Sequence, residues 1–287
     1  MSADPALIAG AFKAACLDEL EAPKPGNVHH FATGGEVTPA DFVKSAEVAA
    51  PLLCATGQRV GKRISTAVNA TWNAVATNTN LGIVLLCAPL AAAAETADGN
   101  LRPALEVVLQ GLDVADAADA FGAIVKASPA GLGHAHRHDV FAPPTVGLRE
   151  AMAAAADRDR IARQYVTTFE DVFAHGEPRL QASLQRLGEP RWATLAVYLG
   201  FLAAFPDSHI LRKHGEARAH EVRKAALAFH ARLEDGERPE TFLSELLAFD
   251  VTLKRSGINP GTSADLTVAT LFVHRLRNIL PSARNSG

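Results

Sequence analysis

The most constraining feature of the sequence is an unbroken apolar run, LGIVLLCAPLAAAA, at residues 81–94. A run of this kind is typical of a helix buried on nearly all sides, because none of its faces carries polar residues. The run is too short to cross a bilayer, and Pro89 interrupts it. The sequence therefore predicts a globular protein in which other elements surround this segment.

The rest of the chain also has a helical pattern. Apolar residues recur at helical spacing, and no stretch shows the alternating β-branched and aromatic residues of a strand. The composition is rich in Ala and Leu, with only 6% aromatic residues, and this mixture favours helix. We predict an all-α protein, a single bundle-like domain of about a dozen helices over residues 1–287, with an active site at converging helix termini.

Net charge, cysteine spacing and the N-terminal residues limit the partners and the cellular compartment that the sequence predicts. The formal net charge is −3 and the basic residues are dispersed, so the sequence predicts neither nucleic acid nor membrane as a partner. Cys16, Cys54 and Cys87 lie far apart without CxxC spacing, which favours buried reduced thiols. The N-terminal residues show no secretory signal, so we expect a cytoplasmic protein. A homodimer is left open.

The polar stretch TNTNLG (77–82) lies directly before the apolar run. Free backbone N–H groups and the positive end of the helix dipole favour an anion at such a place. An ordinary N-cap formed by Asn78 or Thr79 is the alternative, and on this stretch alone it is the better supported one.

A second polar stretch, PKPGN (23–27), is a stiff basic loop. Its two prolines disfavour helix, and Gly26 lets the backbone approach another group closely. Such a loop suits a phosphate-bearing ligand, and an exposed lysine in a proline-rich turn is an equally good account.

Two further stretches repeat this composition: PDSHILRK (206–213), after an apolar helix, and NPGTSAD (259–265), before the last one. Thr262 or Ser263 is a natural cap for that last helix, with Asp265 in its first turn. If the four turns converge at one end of a bundle, they supply N–H groups and cations for phosphates and carboxylates for magnesium.

Three other patterns in the sequence are only weak indications of a functional site. GQRVGKR (57–63) is not a P-loop, because the glycine spacing is one residue short and Arg63 replaces the Ser or Thr that would hold magnesium. The alternating histidines at 134–138 could share a metal, although a polar loop is the better reading. Asp113, Asp116 and Asp119 indicate a solvated acidic helix face.

Taken together, the motifs resemble the triphosphoribosyl-dephospho-CoA synthase family. PKPGNV with Glu19 nearby, TNTNLG, DSxxxRKxG and NPGTSADL occur in order, and the resemblance runs from about Leu7 to about Phe272. It implies an all-helical enzyme that uses ATP as a ribosyl donor. The 2′-hydroxyl of 3′-dephospho-CoA is then the acceptor, and adenine leaves. The product is the precursor of a prosthetic group of acyl carrier proteins.

That reaction passes through a cationic, oxocarbenium-like sugar, so one carboxylate can stabilise it while another takes the proton of the attacking hydroxyl. Together with the resemblance, this assigns catalytic roles to Asp207, Asp265 and Glu19, with Asp207 and Asp265 also as ligands of Mg²⁺. Binding of ATP and its phosphates is assigned to Lys24, Gly26, Asn27, Asn78, Thr79, Asn80, Gly82, Arg212, Lys213 and Asn259.

The motifs also depart from the usual pattern of the family. Many members of the family have the motif NTH-x-G and a lysine where this chain has Asn80 and Leu81. They carry an aspartate where this chain has His29. These features are similar to a divergent subgroup of archaea and methylotrophic bacteria, which implies a role in the biosynthesis of a furan- or pterin-type one-carbon cofactor. Two alternatives stay open: ATP-dependent phosphoryl transfer, and a helical nucleotide-binding module without turnover.

Overall fold

The computed structural model describes residues 3–32, 37–129 and 131–280 of the chain. Within them it contains fourteen α-helices, one π-helix, one 3₁₀ helix and no strand, which confirms the all-helical prediction. Met1 and Ser2, part of the N-terminal stretch inspected for a signal, lie outside these residues. Among the described residues, no single helix is long and apolar enough to cross a membrane, and two bent helix pairs reach that length and composition only jointly.

The chain divides into two compact units. The first comprises Met1–Cys16, Ala40–Glu170 and Phe272–Gly287, and the second comprises Leu17–Pro39 and Asp171–Leu271. Helices α1 (Pro5–Leu20) and α14 (Gly261–Ile279) each contribute residues to both units. That the chain forms one domain stays a prediction.

The first unit is built around the helix that the apolar run predicts. Its other helices surround α4, of which twelve residues between Leu81 and Ala94 are buried. Pro89 has no N–H for the carbonyl of Leu85, and the hydroxyl of Tyr165 donates to that carbonyl instead, at 2.6 Å. The helices of this unit are α2 (Pro39–Leu53), α3 (Val60–Val75), α4 (Leu81–Thr96), α5 (Leu101–Gln110), α6 (Val114–Ala127), α7 (Leu148–Ala153) and α8 (Arg160–Thr167).

The acidic face predicted for α6 is wrong in one important respect. Asp116 is buried, and its carboxylate accepts a 2.7 Å hydrogen bond from the amide of Gly61 at the start of α3. Gly61 is needed there, because a Cβ atom would lie 2.5 Å from the backbone of Asp116. Asp113 caps α6, and Asp119 forms an ion pair with Arg59. The acids therefore join α3 to α6.

The second unit packs around α10, in which every residue from Trp192 to Ala203 is buried. Tyr198, Leu199 and Leu202 belong to one apolar cluster with residues of α12 and α13. The remaining elements of this unit are the π-helix Asp171–Gly176, α9 (Glu177–Leu187), α10 (Pro190–Ala204), α11 (Ser208–His214), α12 (Glu216–Glu234), the 3₁₀ helix Pro239–Phe242 and α13 (Leu243–Arg255).

Candidate functional site

Three of the four polar turns lie in the second unit and contact one another. The first contact joins PKPGN to NPGTSAD, where the side-chain amide of Asn27 donates to Asn259 Oδ1 at 2.8 Å. Gly26 adopts φ +81°, and a Cβ atom at this position would lie 2.8 Å from Pro260 Cδ. The backbone of PKPGN therefore lies directly against NPGTSAD, as its glycine predicts.

The PKPGN loop is fixed by a buried ion pair. Lys24 Nζ lies 2.6 Å from Glu19 Oε1 and donates to the carbonyl of Val28 at 2.6 Å, and neither charged side chain is more than 3% exposed. Burial raises the pKa of Glu19 and lowers that of Lys24, while the attraction between the two charges opposes both shifts. In this arrangement Lys24 and Glu19 fix the conformation of the loop. Their roles in phosphate binding and catalysis stay predictions.

Asp207 joins PDSHILRK to NPGTSAD. Its Oδ1 accepts from the amides of His209 and Ile210, which caps α11, and its Oδ2 accepts from both the amide and the hydroxyl of Ser263, at 2.8 Å each. Asp207 is fully buried, and burial raises its pKa although these hydrogen bonds favour the carboxylate. Both oxygens are therefore occupied by hydrogen bonds within the fold, and a role of Asp207 as magnesium ligand or base stays a prediction.

Helix α14 begins directly after Pro260, two or three residues earlier than a cap at Thr262 or Ser263 predicts. Thr262 and Ser263 lie in its first turn, and Thr262 Oγ1 accepts from the amide of His209 at 3.2 Å. Asp265 is the fifth residue of the helix and is partly exposed. Of the two aspartates assigned to magnesium, Asp265 is therefore the one whose exposure fits the ion.

The cations Arg212, Lys213 and His214 lie in the last turn of α11. Lys213 Nζ donates to the carbonyl of Gly257 at 3.3 Å and is exposed, and His214 Nε2 lies 3.0 Å from the same oxygen. Burial, and then the positive charges of these three residues, lower the pKa of His209 to about 4. His209 is therefore neutral near pH 7.

A buried carboxylate that the sequence analysis overlooked completes the cluster. Asp250 Oδ1 accepts from the amide of Gly26 at 2.8 Å and lies 3.3 Å from His29 Nε2, and its Oδ2 accepts from Lys254 at 2.9 Å. Burial raises its pKa, but the hydrogen bonds from His29, Lys254 and Gly26 outweigh that effect and hold the pKa below its usual value. The sequence signal for a buried Asp250 is its position four residues after Leu246, on the apolar face of α13.

The fourth turn, TNTNLG, belongs to the first unit. Asn78 Oδ1 accepts from the amide of Leu81 at 3.1 Å, but the N-cap position of α4 is Asn80, so neither Asn78 nor Thr79 is the N-cap residue. Thr79 shares a 2.6 Å hydrogen bond with Ser45, Asn80 donates to Thr71 at 3.1 Å, and Gly82 is partly exposed in the first turn of α4. That this turn also contacts a nucleotide stays a prediction.

The part of the chain that the structure describes contains no cluster of metal-binding side chains. Within the described ranges, no group of three or more His, Cys, Asp or Glu side chains could hold a metal ion, which removes the histidine loop as a candidate. His134 instead contacts Asp139, whose carboxylate also accepts from the amide of Ala135. Magnesium often needs only one or two protein carboxylates beside substrate phosphates, so this finding does not exclude it at Asp265.

The converged turns have the chemistry of a nucleotide site. The three turns carry the paired side-chain amides of Asn27 and Asn259, the partly exposed Arg212 and exposed Lys213, and the partly exposed carboxylate of Asp265. Amide groups can orient hydroxyl and phosphate oxygens, and cations can neutralise phosphates. These groups can therefore bind a polyphosphate. The carboxylate of Asp265 lies in α14, the helix that begins within NPGTSAD.

Comparisons with known proteins agree with this chemistry. The family model CitG, described as ATP:dephospho-CoA triphosphoribosyl transferase, matches residues 5–283. A crystal structure from Archaeoglobus fulgidus, provisionally named a triphosphoribosyl-dephospho-CoA synthase, shares the fold with a TM-score of 0.63 at 24% identity, over 82% of this chain and 97% of that one. A search of curated proteins gave no match. The chain is therefore a transferase that belongs to the CitG family of ATP:dephospho-CoA triphosphoribosyl transferases.

Proposed function

We propose that this protein transfers the triphosphoribosyl group of ATP to the 2′-hydroxyl of 3′-dephospho-CoA, or of a closely related acceptor, and releases adenine. The family match over nearly the whole chain carries the proposal. The contacts among PKPGN, PDSHILRK and NPGTSAD support it, because they bring amides, cations and a carboxylate to one place.

In this reaction the bond between C1′ and N9 of ATP breaks, and a bond forms between C1′ and the acceptor oxygen. The electron pair of the broken bond leaves with adenine, and the acceptor hydroxyl loses its proton, which balances the proton that adenine gains. A carboxylate near C1′ stabilises the cationic sugar, and one within reach of the hydroxyl can take its proton. We assign this chemistry to Asp265.

The triphosphate is not cleaved, so the protein must hold it without activating it. We assign this to Arg212 and Lys213, with Asn27 and Asn259 orienting nucleotide oxygens. Magnesium, when bound, neutralises part of the phosphate charge, and Asp265 is the residue that would hold it. Glu19, Lys24 and Asp207 act on the shape of the loops.

Product analysis tests the proposal. Purified protein is incubated with ATP, magnesium and dephospho-CoA, and the nucleotides are separated and identified by mass. We expect adenine and a product heavier than dephospho-CoA by one triphosphoribosyl group, in equal amounts. ADP or AMP in place of adenine would show phosphoryl transfer, and ATP binding without any product would indicate a binding module for these substrates.

The variant Asp265→Asn provides the matched test of the site. We expect turnover to be abolished, because the amide can neither accept the proton nor neutralise the cationic sugar. The free energy of unfolding should change by no more than about 1 kcal/mol, as is usual for partly exposed positions. A large loss of stability would instead make Asp265 an architectural residue.

A further inference from the structure

Lys254, a lysine beside the PKPGN loop, has no role in the proposed function. Lys24, the lysine of PKPGN, is fully buried against Glu19 and cannot reach a phosphate in this arrangement. Lys254, at the end of α13, has a side chain that is 31% exposed and lies beside the same loop. It is therefore the lysine next to PKPGN that a ligand can reach.

One hydrogen bond orients the ammonium group of Lys254, and the ring of His29 lies close by. Its Nζ donates to Asp250 Oδ2 at 2.9 Å and lies 3.4 Å from His29 Nε2. Asp250 and Lys254 have the i,i+4 spacing of an ordinary helix pair, but Asp250 is 1% exposed and also binds the amide of Gly26. The carboxylate thus connects Lys254 to the PKPGN loop, which most surface pairs of this spacing do not do.

The neighbouring histidine does not supply the counter-charge for Asp250. Burial lowers the pKa of His29, which favours the neutral ring. Its Nδ1 accepts from the amide of Phe31 at 3.1 Å, so the proton of the neutral ring is on Nε2, facing Asp250. Lys254 therefore carries the positive charge of this cluster, and its hydrogen bond to Asp250 uses one of three N–H donors.

The turn that follows Lys254 contacts the basic end of α11. The carbonyl of Gly257 accepts from Lys213 and contacts His214, and the amide of Gly257 donates to the carbonyl of Lys254. The last turns of α11 and α13 thus bring Lys213 and Lys254 to one short turn. A polyphosphate carries several negative charges along a chain of oxygens, so it can use a cation from each of the two helix ends that meet at this turn.

We propose that Lys254 is a phosphate-binding residue of the nucleotide site, oriented by its hydrogen bond to Asp250. This proposal rests on the proposed function only for the identity of the nucleotide. The phosphate contact itself needs no turnover. It can therefore be measured with inorganic tripolyphosphate, which has neither a ribose nor a base.

The first measurement is the affinity of the full chain for tripolyphosphate and for ATP, by calorimetry at low salt. We expect Lys254→Gln to raise both dissociation constants about tenfold, since a hydrogen bond between charged groups is lost. Lys254→Arg should stay within about threefold of wild type because it keeps the charge. Lys224→Gln, an exposed lysine of α12 in the same unit, is the matched control and should bind as wild type does.

The second measurement needs no variant and guards against misfolding of Lys254→Gln. Lysines of the wild-type protein are acetylated with and without tripolyphosphate, and each site is quantified by mass spectrometry. Lys254 should be protected by the ligand and Lys224 should not. Equal labelling of Lys254 in both samples, unchanged affinity of Lys254→Gln, or no binding to wild type overturns the proposal.

These results are separable from the proposed function. If adenine is not released but Lys254→Gln weakens tripolyphosphate binding, the transferase proposal fails and the phosphate site stands. If adenine is released and Lys254→Gln binds like wild type, the reverse holds.

Discussion

At the scale of single residues, the candidate site is organised by buried charges that contact other parts of the protein. Glu19 and Lys24 are the clearest case, because both are removed from water and each is the other's counter-ion. Taking an ion out of water costs several kcal/mol, and only a paired geometry offsets that cost. The pair therefore stabilises the loop only while it is complete.

The variant Lys24→Met tests this. We expect it to lower the free energy of unfolding by about 3–5 kcal/mol, because it leaves the Glu19 carboxylate buried without a counter-charge. The double variant with Glu19→Leu should lose clearly less than Lys24→Met alone. Urea denaturation measures both, and a single variant as stable as wild type would show that Lys24 is not buried against Glu19.

His209 predicts a dependence of stability on pH. Its pKa falls from 6.5 in the unfolded chain to about 4 in the folded protein, chiefly through burial and then through the nearby cations. Between these values the unfolded chain binds more protons, so stability is lost as the pH falls from about 6.5 towards 4, by up to about 3 kcal/mol. His29 is shifted in the same direction and adds to the loss.

The comparison of wild type with His209→Asn isolates this contribution. Denaturation curves between pH 4 and pH 8 should show a smaller loss of stability for the variant on the acid side. Parallel curves for the two proteins would contradict the buried, neutral state of His209.

The sequence identified many of these residues as candidates but did not predict their contacts within the fold. Asp207 follows an apolar helix, which is a good place for a catalytic acid. Its actual partner, Ser263, lies 56 residues further along the chain, and no local pattern predicts that contact. Asp250 was overlooked for the same reason, because its partner Gly26 is 224 residues away.

At the scale of elements, the contact between PKPGN and NPGTSAD depends on one glycine. Gly26→Ala would place Cβ 2.8 Å from Pro260 Cδ and 2.9 Å from Leu253 Cδ1, at a φ of +81°. Steric overlap and backbone strain then act together, so we expect a loss of more than about 2 kcal/mol in stability and a large loss of ATP affinity.

Gly257→Ala is the matched control. Its φ is +65°, and a Cβ atom there meets no heavy atom within 4 Å. It should therefore lose only about 1–2 kcal/mol from backbone strain. Thermal unfolding compares the two variants, and equal losses would mean that the loops are not packed as described.

Helix positions were largely predictable, and their boundaries were less so. The apolar run defined α4, but its N-cap is Asn80 rather than Asn78 or Thr79, while Asn78 accepts from the first amide of the helix. The start of α14 was placed too late, because its first turn is polar and is capped by Asp207, a residue distant in sequence.

At the scale of the whole molecule, fold class and family could be predicted because both depend on features spread along the chain. Helical spacing without strands gives an all-α protein, and four motifs in order give the family, which the match over residues 5–283 confirms. The convergence predicted for the four turns is seen for the three in the second unit. The role of TNTNLG stays a prediction.

The central claim is that these turns surround one nucleotide. A crystal structure of the protein with ATP and magnesium tests it most directly. The account predicts the triphosphate within hydrogen-bond distance of Arg212 and Lys213, beside Asn27 and Asn259, with Asp265 near the metal or the ribose. A triphosphate bound elsewhere on the protein, with these side chains more than about 6 Å from any phosphate oxygen, would contradict it.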